Sequence, residues 1–208
     1  MSEYLIPTGP GESEFVEKRS RFLGHVRMVE TEDEARAFIA EMKKKYYDAR
    51  HNCWCYSIRD GAERYSDDGE PQGSAGIPML EVLRRQNVTN AVCVVTRYFG
   101  GVLLGTGGLL RAYTRSTADA LETAGVSAVR RWVETELPCS YAQMERLKSE
   151  AQSAGGIVAD IEYGAGVTLK VLVPGEQSEA FAARIFDQTA GSVSVRVTGE
   201  SFRAVPLR

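Results

Sequence analysis

Positions 100–108 hold five glycines, Gly100, Gly101, Gly105, Gly107 and Gly108, between an apolar run at 91–96 and an apolar-periodic run at 109–124. Glycine is costly to order, so such a cluster is expected where backbone takes positive φ or closely approaches another group. The flanks set the context: a continuous apolar run reads as a buried strand, and the run behind the glycines as a helix stopped by Gly125. A strand, a glycine loop and a helix start together present free backbone N–H groups, to which the helix dipole adds partial positive charge. Arg97 and Arg111 bracket the loop and are expected to add two full charges. The segment therefore points to an oxyanion or phosphate site.

Known phosphate loops do not account for it. A Walker loop ends in Gly-Lys-Ser/Thr, and the segment has no lysine; the dinucleotide fingerprint begun at Gly105 and Gly107 needs glycine where Leu110 stands. The competing reading is structural: the glycines let a tight strand-to-helix connection pack against a sheet.

The rest of the chain follows a clear periodicity. Thr31 and Glu34 have capping-box spacing, and Ala35, Phe38, Ile39, Met42 and Tyr46 form one helical stripe behind them. Strands are expected at 22–29 and 51–58, turns at Asp60-Gly61 and 67–76, and a helix after Pro78. Beyond Arg130 the pattern is a strand at 132–137, a helix opened by Ser140 and Gln143, strands at 157–163 and 167–173 joined by Gly164-Ala165-Gly166, a helix at 178–190 and a strand at 192–197. That order, β-α-β-β-α-β, is the ferredoxin-like split arrangement. The fold class is therefore α+β in two domains, 1–130 and 131–208.

With 208 residues, 43% of them hydrophobic, the chain can bury an ordinary core. Its start carries no charged region leading into an apolar one, and no apolar run is long enough to span a bilayer, so a cytoplasmic protein is expected. The cysteines, Cys53, Cys55, Cys93 and Cys139, form no CxxC pair, which fits a reducing compartment. Net charge is −3, so nucleic-acid binding has to come from local patches such as Lys18-Arg19 with Arg21, or the arginines beside the glycine loop.

Two further constellations carry chemistry. In 50–56, strand alternation puts His51, Cys53 and Cys55 on one face; same-face neighbours stand about 7 Å apart, too far for one tetrahedral zinc without distortion, so no metal is expected there. In 66–76, Asp67, Asp68 and Glu70 place three carboxylates in four residues, a set suited to Mg²⁺ or general-base work, yet without calcium-loop spacing. Acidic turns also occur with no function.

Taken together these segments resemble the IMPACT family, in particular its bacterial members. The matching blocks are Lys18-Arg19-Ser20-Arg21-Phe22-Leu23-Gly24, His51-Asn52-Cys53, Asp67-Asp68-Gly69-Glu70-Pro71 with Gly73-Ser74-Ala75-Gly76 and Pro78, and the glycine loop from Arg97 to Tyr113. The resemblance implies a first domain like domain IV of elongation factor G and a second like domain V. It also implies an association with translation, since eukaryotic relatives are linked to translational control. The expected function is a non-enzymatic translation-associated regulator that binds RNA, the ribosome or a translation protein, with no cofactor and no membrane partner. Its expected surface comprises His51, Asn52, Asp67, Asp68, Glu70, Arg97, Gly100, Gly101, Gly105, Gly107, Gly108 and Arg111. The alternatives are an enzyme acting on a phosphorylated small molecule or nucleotide with metal at the acidic loop, and a purely protein-interaction module.

Overall fold

The computed structural model describes residues 3–207. The chain divides into two compact units, one of residues 4–128 with 205–207, the other of 129–204 with Glu3. Among the described residues no helix is long and apolar enough to cross a membrane.

The first unit contains β1 (Tyr4–Pro7), β2 (Gly11–Glu17), β3 (Ser20–Met28), α1 (Glu32–Lys45), β4 (His51–Ser57), β5 (Glu63–Ser66), α2 (Gly76–Arg85), β6 (Ala91–Tyr98) and α3 (Thr106–Ala124). Its sheet runs β2-β3-β6-β4-β5, with every neighbouring pair antiparallel. β6 is the central strand and is buried on both sides, which is why it reads as an unbroken apolar run. Alternation assigns its faces: Val92 and Val94 meet α1 through Phe38 and Met42, while Cys93 and Val95 meet α2 and α3 through Met79, Leu83 and Tyr113.

Local signals explain most boundaries. Thr31 Oγ1 accepts from Glu34 N at 3.2 Å, as a capping box requires, but the Glu34 carboxylate accepts from Glu30 N rather than from Thr31. Gly125, at φ 69, ends α3. α3 begins earlier than periodicity predicts, because Gly107 and Gly108 are wound into its first turn. The strands β2 and β5 escape the sequence pattern because they expose too many polar positions to show a clear apolar alternation, and β1 because its four residues are too few to show a period.

β7 (Val126–Cys139) is followed by α4 (Tyr141–Ser153), β8 (Ile157–Tyr163), β9 (Val167–Pro174), α5 (Ser178–Gln188) and β10 (Arg196–Pro206). β7 pairs with β9 and with β10, and β9 with β8. α4 and α5 cover one face through Leu147, Phe181 and Ile185, which pack on Leu137, Leu169 and Val171. The last strand lies four residues beyond its expected start, because 189–195 is consumed by a turn in which Gly191 takes φ 75 and the Thr189 hydroxyl ties back to Ile185 O. On the open face Lys170 lies between Asp160 and Glu162 and pairs by register with Glu136, to which Arg196 approaches at 4.0 Å. Opposite charges thus alternate across the strands, and these cations are matched.

Candidate functional site at the start of helix α3

The antiparallel register places the beginnings of β3 and β4 beside the end of β6, with Phe22 and His51 both opposite Arg97. The acidic loop between β5 and α2 returns to this same end. Asp68 and Gly69 both take positive φ, 42° and 86°, and Glu70 N donates to Asp67 O at 2.9 Å, so Asp-Gly forms the type I′ turn that its sequence favours.

Each carboxylate of that loop faces inward. Asp67 Oδ1 accepts from Ala75 N at 3.0 Å and Gly76 N at 2.8 Å, while Oδ2 accepts from Gly73 N at 2.8 Å. This satisfies donors at the start of α2, whose N-cap residue Ala75 has no side chain able to do so. Asp68 accepts from Asn52 N and from the Lys43 ammonium, both at 2.7 Å. Glu70, with its side chain 4% exposed, accepts from Arg97 Nη1 at 2.6 Å and from the Tyr113 hydroxyl at 2.8 Å. Asp67→Asn is therefore expected to destabilise by about 1–3 kcal/mol, because an amide NH₂ must then face a backbone N–H. Urea unfolding measures it; an unchanged midpoint contradicts the capping role.

His51 joins the same cluster. Its Nδ1 lies 2.8 Å from the Asp68 carbonyl, which only accepts, so Nδ1 carries the proton and Nε2 is left facing Glu70 at 4.0 Å. The Cys53 thiol donates to Asp67 O at 3.0 Å; burial foremost pushes it up, so it stays protonated. Burial likewise raises Tyr113, keeping its hydroxyl a donor. Asn52 lies on the opposite face of β4, where its side-chain oxygen accepts from Thr96 Oγ1 at 2.7 Å.

The glycines separate into distinct roles. A Cβ on Gly100 would stand 2.0 Å from Arg19 O, so this glycine permits two backbones to touch. Gly101 and Gly105 have open space but φ of 84° and 73°. A Cβ on Gly108 would meet Leu104 Cβ at 2.9 Å, whereas one on Gly107 finds nothing nearer than Arg111 at 3.8 Å.

Arg97 and Arg111 do not act as a pair. Arg97 is buried and its charge is matched by Glu70, although its Nε has no hydrogen-bond partner. Arg97 lines a pocket of about 410 Å³ with Arg50, His51, Phe99, Gly105 and Thr106. Arg111 lies one turn further along α3, on the wall of another pocket. The helical period explains the difference: five residues beyond Thr106, Arg111 is rotated away from the face that meets β6. The half-exposed ring of Phe99 has the Arg97 guanidinium 5.4 Å from its centroid and that of Arg50 at 5.9 Å. The sequence places Arg50 in a basic patch with Lys43, Lys44 and Lys45, but it marks neither Phe99 nor Tyr113 as a site residue; an aromatic beside the glycine loop was the available signal.

Fold and site together define a two-unit α+β protein whose first unit carries a polar cluster beneath an arginine-lined pocket at a helix start. Residues 18–121 match the Impact N-terminal domain and residues 137–192 a domain of unknown function (DUF1949). The chain is similar to the IMPACT family member YvyE of Bacillus subtilis, 35% identical over 198 residues that cover 94% of this chain and 91% of that relative. It is similar to the IMPACT family member YigZ of Escherichia coli, 34% identical over 199 residues, 94% of this chain and 98% of that one. A solved structure described as the crystal structure of an hypothetical protein aligns with a TM-score of 0.60 at 32% identity, covering 96% of this chain and 98% of its own. The chain belongs to the IMPACT family.

Proposed function

We propose that the chain is a non-enzymatic, translation-associated protein whose first unit binds single-stranded RNA at the start of α3. Family membership supports the translation side of this reading, through the link of eukaryotic relatives to translational control. It also supports taking the first unit as like domain IV of elongation factor G and the second as like domain V, divided near residue 130 and working in the cytoplasm. The ribosome or a translation protein is reached through the same face.

One observation carries the RNA reading. The pocket combines the first turn of α3, whose leading N–H groups have no helical partner, with the Arg97 side chain in its wall, the exposed Arg50 and the half-exposed Phe99. Backbone N–H groups and arginine suit a phosphate, and an aromatic face beside an arginine suits a stacked base. The acidic loop gives the enzyme alternative little support, since Asp67 and Asp68 spend both oxygens on the protein itself and Glu70 commits Oε1 to Arg97 and Tyr113. The open face of the other sheet supports RNA less well, because Lys170 and Arg196 already face carboxylates.

Fluorescence anisotropy with a labelled single strand of about eight nucleotides tests the proposal. Affinity is expected to fall with salt, with a log–log slope of about −0.7 for each phosphate neutralised. Arg50→Ala with Phe99→Ala, both at exposed positions, is expected to weaken binding at least about tenfold, the loss of one stacked base. Salt-independent binding, or none, overturns it.

A further inference from the structure

Several cations of the first unit are held by a carboxylate, among them Arg21 by Glu14, Arg27 by Glu41, Lys43 by Asp68, Arg84 by Glu63 and Arg97 by Glu70. Lys18, Arg19, Arg50 and Arg111 form no ion pair among the described residues, and they gather around the start of α3. Lys18 and Arg19 form the turn joining β2 to β3, at the sheet end where Arg21 pairs with Tyr98, and the Arg19 carbonyl meets Gly100. Arg50 immediately precedes β4, whose first residue pairs with Arg97. Lys44, Lys45, Arg64 and Arg85 also form no ion pair among the described residues, but they are spread over α1, β5 and α2, whereas Lys18, Arg19, Arg50 and Arg111 share one sheet end.

Lys18 and Arg111 line a second pocket, of about 240 Å³, with Arg115, Glu17 and Phe15. Leu104 lines both this pocket and the one holding Arg50 and Phe99; Gly105 and Thr106 lie on one side, Gly108 on the other. The first turn of α3 is therefore a ridge between them. Phe15 repeats the arrangement at Phe99, with the Arg115 guanidinium 4.4 Å from its ring centroid, and Asp119 Oδ2 accepts from Arg115 Nε at 3.3 Å. Both turn residues adopt positive φ, 45° at Lys18 and 67° at Arg19, in a two-residue hairpin turn where Asn-Gly is favoured. Two long cations thus occupy a position for which the local backbone prefers small residues.

We infer that the Lys18–Arg111 pocket is a second phosphate subsite, and that the two pockets together form a track for one strand of RNA crossing the N-terminal turn of α3. The inference rests on the RNA reading above and extends it. Lys18 and Arg111 supply phosphate-binding charge without a competing ion pair, Phe99 offers a ring face in the first pocket, and the ridge contributes backbone N–H groups; Phe15, stacked on Phe22 at 5.2 Å and covered by Arg115, serves as a wall. A helix is roughly 10 Å across, so a mononucleotide reaches only one pocket whereas a short strand reaches both. The Phe99 ring separates a nucleic-acid strand from a merely acidic peptide, which has no bases to stack.

The experiment is anisotropy on the full chain with a labelled mononucleotide, a dinucleotide and a strand of about eight nucleotides, across a salt series. Wild type is expected to bind more tightly with length. Lys18→Ala with Arg111→Ala, both exposed and unpaired, is expected to abolish that increase and to reduce the log–log salt slope by about 1.4. An unchanged slope and length dependence in the double variant overturns the second subsite while the RNA reading stands. Equal loss of mononucleotide binding also overturns it, since the pockets are then one site. Inorganic polyphosphate of similar charge matching the strand's affinity overturns the RNA track in favour of a general polyanion surface. If wild type binds no RNA of any length at low salt, both readings fall together.

Discussion

Glu70→Ala is expected to destabilise the first unit by about 3–5 kcal/mol, the usual consequence of removing one partner from a buried ion pair. The Arg97 and Glu70 side chains are 6% and 4% exposed and meet at 2.6 Å, so deleting the carboxylate leaves a guanidinium charge in a nearly dry setting. Tyr113 also loses the acceptor for its hydroxyl, which burial keeps protonated. What remains to Arg97 is the Ser20 hydroxyl at 3.2 Å, a neutral group that cannot balance a charge. The transition that includes this unit should move down by about 10 °C or more. Adding Arg97→Met is expected to recover much of the loss, because an apolar side chain of similar length needs no partner. If Glu70→Ala melts where wild type does, the pair does not hold the site together.

Gly100→Ala is the second large effect, and Gly107→Ala is its control. A Cβ at position 100 would stand 2.0 Å from the Arg19 carbonyl oxygen and 2.1 Å from its carbon, both backbone atoms of a strained turn that cannot retreat as a side chain can. Relief requires separating the β2–β3 turn from the loop after β6, and the expected destabilisation is about 3 kcal/mol or more, at or above the usual range for overpacking. At position 107 the added methyl meets nothing closer than 3.8 Å and lies in a helix, where alanine is favoured over glycine by about 0.5–1 kcal/mol. Gly107→Ala should therefore leave stability unchanged or slightly raised, and weaken RNA binding several-fold by covering the ridge. Chemical denaturation of the two variants separates a glycine needed for packing from one whose openness serves a ligand. Equal effects on stability would contradict that separation.

Much of this architecture is legible in the sequence for identifiable reasons. β6 shows as a continuous apolar run because both its faces are covered, and α1 shows as a stripe because only one of its faces is. The Asp68-Gly69 turn is legible from its dipeptide. The β-α-β-β-α-β order of 126–206 follows from period and turn residues, but the position of β10 does not: the turn around Gly191 is fixed by side-chain bonds at Thr189, which no periodicity encodes. The site is less legible. That Asp67 caps α2 while Glu70 neutralises Arg97 depends on how the loop folds back, and neighbouring carboxylates in sequence give no sign of their separate partners. The split between Arg97 and Arg111 became readable only once α3 was seen to begin at Thr106, which sets the rotation of everything after it.

The central claim is that RNA meets the first turn of α3, and amide chemical shifts on addition of a single-stranded oligonucleotide test it most directly. The account predicts the largest changes at Thr106, Gly107, Gly108 and the Arg50 and Phe99 amides, with those of β8 and β9 unmoved. Shifts concentrated on β8 and β9, or none at the start of α3 under saturating RNA, would contradict it.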